Sequence, residues 1–372
     1  MKIAIEARPI QWSYGTGIGN YTHSLISKLS EIDRENQYTF LWTDDTSCEL
    51  IPFDREYSHY ALPREDLREE VEIPRWLRQE RADVFHLPQN GFRTPQPGPY
   101  QIIVTIHDLI PYFYPEMVRT SFLKRFAAEM PFIVERASHI ITVSAASKND
   151  LITVFGTDSA KISVIPSGPS SAYRLLPRED TALWLRKNYR LDFRYILYVG
   201  GLNPRKNVSE LVYAFSKIIR DLPNQQRLVI LGGEGKHLAK LKGLAEALNI
   251  QADVIFPGFV KTEHLPFFYN GADLFVYPSL YEGFGLPPIE AMACGTPVIT
   301  SNVSSLPEVV GEAALTVNPW DTRALGEAIL RVLSDPLLSE AMIKKGLQQC
   351  QRYNWTAIAT QVLQVYRMVQ QS

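Results

Sequence analysis

Residues 282–290, Glu-Gly-Phe-Gly-Leu-Pro-Pro-Ile-Glu, set two carboxylates eight positions apart around a glycine turn and a Pro-Pro helix start. Upstream, Ala272–Pro278 reads as a strand, and downstream, Ile289–Ala293 reads as a helix. Gly283, Phe284 and Gly285 then fill a strand-to-helix turn whose N–H groups face outward. Such a turn attracts phosphate, because the first N–H groups of a helix lack intrahelical partners and the helix dipole is positive there. Proline at a first helical position gives up no needed N–H. Glu290 falls in the first helical turn, near a bound phosphate and its ribose, and Glu282 precedes the glycines. A plainer account is also open, in which Glu290 complements the helix dipole and Glu282 is a solvated loop residue.

A second cluster follows another strand, in Tyr198-Val-Gly-Gly-Leu-Asn-Pro-Arg-Lys-Asn207. Arg205 and Lys206 are expected to be exposed there and to neutralise a leaving diphosphate, arginine by a two-pronged grip and lysine as a point charge. Gly15-Thr-Gly-Ile-Gly-Asn-Tyr21 follows the first strand but completes no dinucleotide fingerprint, since Asn20 and Thr22 occupy the candidate places of the third glycine. His86 and His107 each end a strand, where a histidine is more often packed or on the surface than catalytic. Ser144 follows a strand and suits a helix N-cap. Asp44-Asp45 lacks D-x-D spacing, so neither a metal site nor another cofactor is expected.

The string from Glu282 to Glu290 resembles the E-x7-E motif of retaining glycosyltransferases of the two-domain GT-B architecture, in glycosyltransferase family 4, and the likeness runs along nearly the whole chain. The resemblance implies that Glu282 contacts the donor sugar, that Glu290 contacts the ribose, and that the backbone from Gly283 through Phe284, Gly285 and Leu286 contacts the diphosphate. It implies a phosphate grip by Arg205 and Lys206, although many members carry the arginine where this chain has Gly201. Phe259 and Val260 fall in the region whose backbone reads the nucleobase, with a core role as the alternative. His107 matches a residue between donor sugar and acceptor, with Asp108 orienting it or facing the acceptor. Gly17 and Gly19 let the backbone approach the donor phosphate. Asn20, Tyr21, His86 and Ser144 fall on the acceptor side, Asn20 replacing an arginine of many relatives.

The catalytic set implied is His107, Glu282, Arg205 and Lys206. It would move a hexose from a nucleoside-diphosphate sugar, GDP-mannose as the first choice, to a glycan or lipid-linked acceptor in cell-surface polysaccharide synthesis. No metal is implied. A nucleotide-sugar epimerase of related fold and a non-catalytic sugar-nucleotide-binding protein are the alternatives.

These residues need a scaffold, and the chain supplies short apolar, β-branched runs separated by helical lengths. They are Lys2–Ala7, Tyr38–Trp42, Asp83–Leu87, Ile102–His107, His139–Ser144 and Ile162–Pro166, then Tyr195–Gly200, Arg227–Gly232, Asp253–Gly258, Asp273–Pro278, Thr296–Thr300 and Ala314–Asn318. Strands alternating with helices argue parallel sheets covered on both faces. The expected fold is α/β: two Rossmann-like doubly wound domains facing across a cleft, an acceptor domain over 1–172 and a donor domain over 173–355. A helix over about 356–372, periodic through Ile358, Val362, Val365, Tyr366 and Val369, would pack back on the first.

A length of 372 residues suits two domains, and a net charge of −2 argues against a nucleic-acid partner. Charge is uneven: acids outnumber bases in the first half, and the reverse holds in the half with the nucleotide-like motifs. Cys48, Cys294 and Cys350 form no disulfide framework, which suits a reducing compartment. The early charges of the N-terminus do not suit a signal peptide, and no apolar run approaches the ~18 residues of a spanning helix. A cytoplasmic protein is expected, with docking at the inner membrane face left open. Arg64–Arg81 and Arg119–Arg136 carry basic residues beside Trp76, Leu77, Phe122 and Phe126, which reads as contact with a lipid-linked acceptor or equally as solvated helix faces. Oligomeric state is not legible.

Overall fold

The computed structural model describes residues 1–12, 17–43, 51, 57–61 and 69–371, at 69 and 70 by backbone alone. Gly15, Asp44, Asp45, Cys48 and Arg64 lie outside the described residues. Two compact units divide the chain: Met1–Gly168 together with Tyr353–Ser372, and Pro169–Arg352.

Unit 1 is built on strands β1 (Lys2–Glu6), β2 (Gln37–Trp42), β3 (Ser58–Ala61), β4 (Val84–Leu87), β5 (Gln101–Ile106), β6 (His139–Thr142) and β7 (Ile162–Val164). They pair in parallel in the order β3-β2-β1-β4-β5-β6-β7. Unit 2 holds β8 (Tyr195–Val199), β9 (Arg227–Leu231), β10 (Val254–Ile255), β11 (Leu274–Tyr277), β12 (Val298–Ser301) and β13 (Leu315–Val317). These too are parallel, ordered β10-β9-β8-β11-β12-β13. Every strand expected from the apolar runs is present. Strand β3 was not expected: Ser-His-Tyr-Ala at a sheet edge is only half covered, so it carries no apolar run to betray it.

In each unit the winding reverses once, between β1 and β4 in unit 1 and between β8 and β11 in unit 2. Open α/β sheets bind ligands outside the carboxyl ends of their strands at such a switch point. Arg8 and Trp12 leave β1, and Pro88 leaves β4; Gly200–Lys206 leaves β8, and Ser279–Glu282 leaves β11. Topology thus brings the two second-half motifs to one place, although about eighty residues separate them.

The C-terminal helix Trp355–Gln370 belongs to unit 1 and buries Ile358, Val362, Val365, Tyr366 and Val369, the periodic positions of the sequence. Asn354 caps it by accepting the Ala357 N–H at 2.8 Å, and Trp355 Nε1 donates to Gly168 O at 3.2 Å. Among the described residues no helix is long and apolar enough to cross a membrane.

Candidate active site

The glycine turn of residues 283–285 leads into the helix Leu286–Ala293, with Pro287 and Pro288 in its first turn. Gly285 is required there by conformation and space: its φ is +106°, and an added Cβ would lie 2.7 Å from Leu306 Cδ2. The turn is locked from the side. Ser304 Oγ accepts the Glu282 N–H at 3.1 Å, and Ser305 Oγ donates to the carbonyls of Glu282 and Phe284 at 2.9 and 2.8 Å.

Glu282 and the two cations form one cluster. Glu282 Oε1 lies 2.6 Å from Lys206 Nζ and 3.1 Å from Arg205 Nη1. It also accepts from Ser279 Oγ at 2.5 Å and Tyr277 OH at 3.0 Å. The Tyr277 hydroxyl in turn accepts from Lys206 Nζ at 2.5 Å, and the ammonium stands 5.0 Å from the centre of that ring. Burial alone would raise the Glu282 pKa, but Lys206 and then Arg205 overrule it and hold the carboxyl at about 2. Arg205, expected to be exposed, is 8% exposed and also donates to Tyr281 O. The correction has a physical cause: the 3-10 turn Pro204–Lys206 is pinned beneath the β11 loop, where the Leu280 N–H donates to Arg205 O at 2.8 Å. One carboxylate against two cations leaves the cluster a net positive charge beside the start of the Leu286–Ala293 helix.

Glu290 is the fifth residue of that helix, one place beyond the first turn in which it was expected. It is buried and accepts from Tyr269 OH at 2.9 Å. Burial raises its pKa to about 7, against the lowering effect of hydrogen bonds from Tyr269 and Tyr173. The two carboxylates of one motif thus differ in state: Glu282 is held ionised, and Glu290 is poised near neutrality. Phe284 is buried, whereas Phe259 is 80% exposed in the loop after β10 and belongs to no core; Val260 beside it is half-buried.

In unit 1, His107 is half-buried just past β5. Its Nε2 lies 2.9 Å from Pro88 O, its N–H donates to Asn90 Oδ1 at 2.8 Å, and its carbonyl accepts from Ser147 Oγ at 3.0 Å. Burial brings its pKa down to about 4, although the Pro88 carbonyl pulls the other way. A neutral ring that donates from Nε2 to a carbonyl keeps Nδ1 as an acceptor. The Tyr21 ring meets His107 edge-on at 4.9 Å and Trp355 at 5.5 Å. Gly17 and Gly19 open the helix Gly17–Ile32, and a Cβ at Gly17 would meet no atom within 4 Å, so packing does not require glycine there. Asn20 is half-buried on the same helix turn.

Two acceptor-side expectations are corrected, for His86 and Tyr21, and Ser144 takes the N-cap role that its position suits. His86 is fully buried, and both ring nitrogens are engaged, Nδ1 with Tyr366 OH at 2.7 Å and Nε2 with Thr105 Oγ1 at 2.9 Å. Burial and the neighbouring His107 bring its pKa down to about 3, so it is a neutral core residue and not a pocket wall. Tyr21 is buried behind His107, its hydroxyl beside Thr105 without a well-formed hydrogen bond, and burial pushes its pKa up to about 12. Ser144 is the N-cap of the helix Ala145–Phe155, accepting the Ser147 N–H at 3.0 Å. Its effect on the site passes through Ser147 to the His107 carbonyl. Asp108 Oδ1 accepts the Ile110 N–H at 3.0 Å, a local cap.

Glu6, Arg8 and Trp12, at and beyond the carboxyl end of β1, belong to none of the motifs named from the sequence. The available signal was an acid-x-base pair at the end of an apolar strand followed by an aromatic residue. Among the described residues no group of three or more His, Cys, Asp or Glu is placed to hold a metal ion.

Comparison with known proteins agrees with this architecture. Residues 15–170 match the family model described as Glycosyltransferase Family 4, and residues 185–349 match that described as Glycosyl transferases group 1. Over 388 aligned residues the chain is 31% identical to the O-antigen chain mannosyltransferase B of Escherichia coli, covering 99% of this chain and 100% of that protein. Sucrose-phosphate synthase of Thermosynechococcus elongatus has a similar structure, with a TM-score of 0.77 at 27% identity and 99% of each chain covered. Anabaena HepE, solved in complex with UDP and glucose, shares the fold, with a TM-score of 0.76 at 18% identity over 99% of this chain and 100% of that one.

Proposed function

We propose, for a chain that belongs to glycosyltransferase family 4 and is a GT-B glycosyltransferase of the O-antigen mannosyltransferase kind, that it transfers a hexose from a nucleoside-diphosphate sugar with retention of configuration and without a metal ion. Mannose is the first choice of sugar, because the relative matched along its whole length is a mannosyltransferase. The acceptor is a hydroxyl of a glycan or a lipid-linked glycan.

The observation that carries this reading is the Arg205–Lys206–Glu282 cluster at the switch point of unit 2. A diphosphate leaving the anomeric carbon gains negative charge, and fixed positive charge at that spot lowers the barrier. Lys206 and Arg205 supply it with the N-terminus of the Leu286–Ala293 helix. Glu282 Oε1 takes all four contacts described above, so Oε2 is the oxygen assigned to the sugar hydroxyls. In the transfer step the bond between anomeric carbon and phosphate oxygen breaks, and the acceptor oxygen bonds to that carbon from the same face. The acceptor proton passes to the departing phosphate oxygen, giving a glycoside and a nucleoside diphosphate. His107, with Nδ1 as acceptor, orients hydroxyls.

The test is incubation with a panel of nucleoside-diphosphate sugars and a glycan acceptor, following released nucleoside diphosphate and the anomeric configuration of the product by NMR. Retention with one preferred donor supports the reading. An inverted product, or epimerised sugar without release, overturns it.

A further inference from the structure

The loop leaving β1 holds a built feature that the transfer step does not use. Arg8 Nε and Nη2 donate to Glu6 Oε1 and Oε2 at 2.7 and 2.5 Å, and the Arg8 backbone N–H donates to Oε1 at 3.2 Å. Both side chains are buried. A buried ion pair is costly to desolvate, and apolar replacements are often as stable or more so, so stability alone does not account for it. What the pair supports is Trp12: the guanidinium carbon lies 4.9 Å from the centre of the indole.

Trp12 closes the short helix Pro9–Trp12 and is 57% exposed. The helix is fastened on its other side to the end of β2. Gln11 Oε1 accepts from the Thr43 N–H at 3.1 Å and from Thr43 Oγ1 at 2.7 Å. A large aromatic surface turned to solvent is thus held by a cation beneath it and by a side chain tied to the neighbouring strand. Arginine stacking and pinned backbone both reduce the entropy lost when a ligand settles on the ring.

Its position fits a ligand. Trp12 follows β1 and His107 follows β5, with β4 between them. Neighbouring strands lie ~4.8 Å apart, so the two strand exits are about 10 Å apart along one edge of the sheet. Loops that leave the sheet that far apart leave room for a second sugar ring beside the one at His107. We infer that Trp12 is a stacking platform for a pyranose ring of a glycan acceptor, with Arg8 and Glu6 setting the orientation of the indole. The C–H face of a pyranose packs on an aromatic ring without any charged partner, and the indole N–H can serve a hydroxyl at the edge. Such a platform reads the presence of a ring at this subsite more than its hydroxyl pattern. The inference rests on the glycosyltransferase reading and adds an acceptor subsite to it.

The experiment compares the wild-type protein with Trp12→Ala and Trp12→Phe, using methyl α-mannoside, α-mannobiose and α-mannotriose. Saturation-transfer NMR reports binding of each sugar, and steady-state transfer gives the acceptor KM. With Trp12→Ala, the KM for the longer acceptors should rise about tenfold, equivalent to about 1.4 kcal/mol. Saturation of the C–H face of the sugar ring should disappear, and nucleoside-diphosphate affinity should be kept. Trp12→Phe should recover most of the binding. Equal KM values and equal saturation in wild type and Trp12→Ala overturn the platform, as does failure of the wild type to bind any of the three sugars. Absence of nucleoside-diphosphate release with every donor would instead sink the glycosyltransferase reading, and the NMR comparison would still decide on Trp12.

Discussion

His86 Nδ1 and the Tyr366 hydroxyl, 280 residues apart in the chain, lie 2.7 Å apart with both residues fully buried. The contact ties the last helix of the chain to β4, the strand beside the His107 loop, within a single unit. Tyr366→Phe leaves a buried ring nitrogen without a partner, which costs about 1–3 kcal/mol. Urea denaturation should show a loss of that size. A stability equal to wild type would mean that the contact at His86 Nδ1 contributes nothing net to folding.

Breaking the Lys206–Glu282 pair should cost stability as well as turnover. Removing one partner of a buried pair costs about 3–5 kcal/mol, and Arg205 at 3.1 Å places Lys206→Ala toward the lower end. A double-mutant cycle with Glu282→Gln should return a coupling of more than about 1 kcal/mol in denaturation. Additive effects would show that the two side chains do not interact in solution.

The two motif carboxylates should respond oppositely to pH. Glu282, with a folded pKa of about 2, contributes stability that is present above pH 4.5 and lost as pH falls toward 2. Glu290, raised to about 7, contributes stability in full below pH 4.5 and loses it as pH rises toward 7. Glu290→Gln should therefore be more stable than wild type at pH 8 relative to pH 4.5, as read by denaturation at both values. An unchanged pH dependence would mean that Glu290 ionises normally.

His107→Ala should abolish most transfer while nucleoside-diphosphate binding survives. An acid–base role would make the loss about 10²–10⁴-fold, and pure positioning a smaller one. Because its pKa is about 4, the ring is neutral above pH 5, and the wild-type pH–rate profile should show no limb from His107 between pH 5 and 9. Lost nucleotide affinity in a folded variant would place the residue elsewhere in the reaction.

Chelation with EDTA should leave transfer largely intact if, as proposed, Lys206 and Arg205 carry the charge that a divalent cation would otherwise carry. Complete loss with EDTA, restored by Mg²⁺ or Mn²⁺, would contradict this.

What the sequence determined was what depends on near neighbours. Strands covered on both faces must be apolar throughout, so runs such as Tyr195–Val199 announce themselves. The Gly285 turn is legible because few other residues tolerate its φ, and Ser144 because a cap acts within one helical turn. Strand β3 was not legible, since an edge strand needs no apolar run. Side-chain partners set by topology were not legible either. Arg205 and Lys206 read as solvated phosphate ligands until the switch point of unit 2 brought Glu282 onto them. His86 read as a pocket residue until the terminal helix laid Tyr366 against it, and no spacing along the chain marks the Glu6–Arg8–Trp12 stack. Burial and ion pairing are sums over neighbours in space, and spacing along the chain says nothing of a neighbour brought in by another strand or helix. The chain therefore announced which residue types could handle a nucleotide sugar, and only the tertiary structure decided which of them touch solvent and which touch one another.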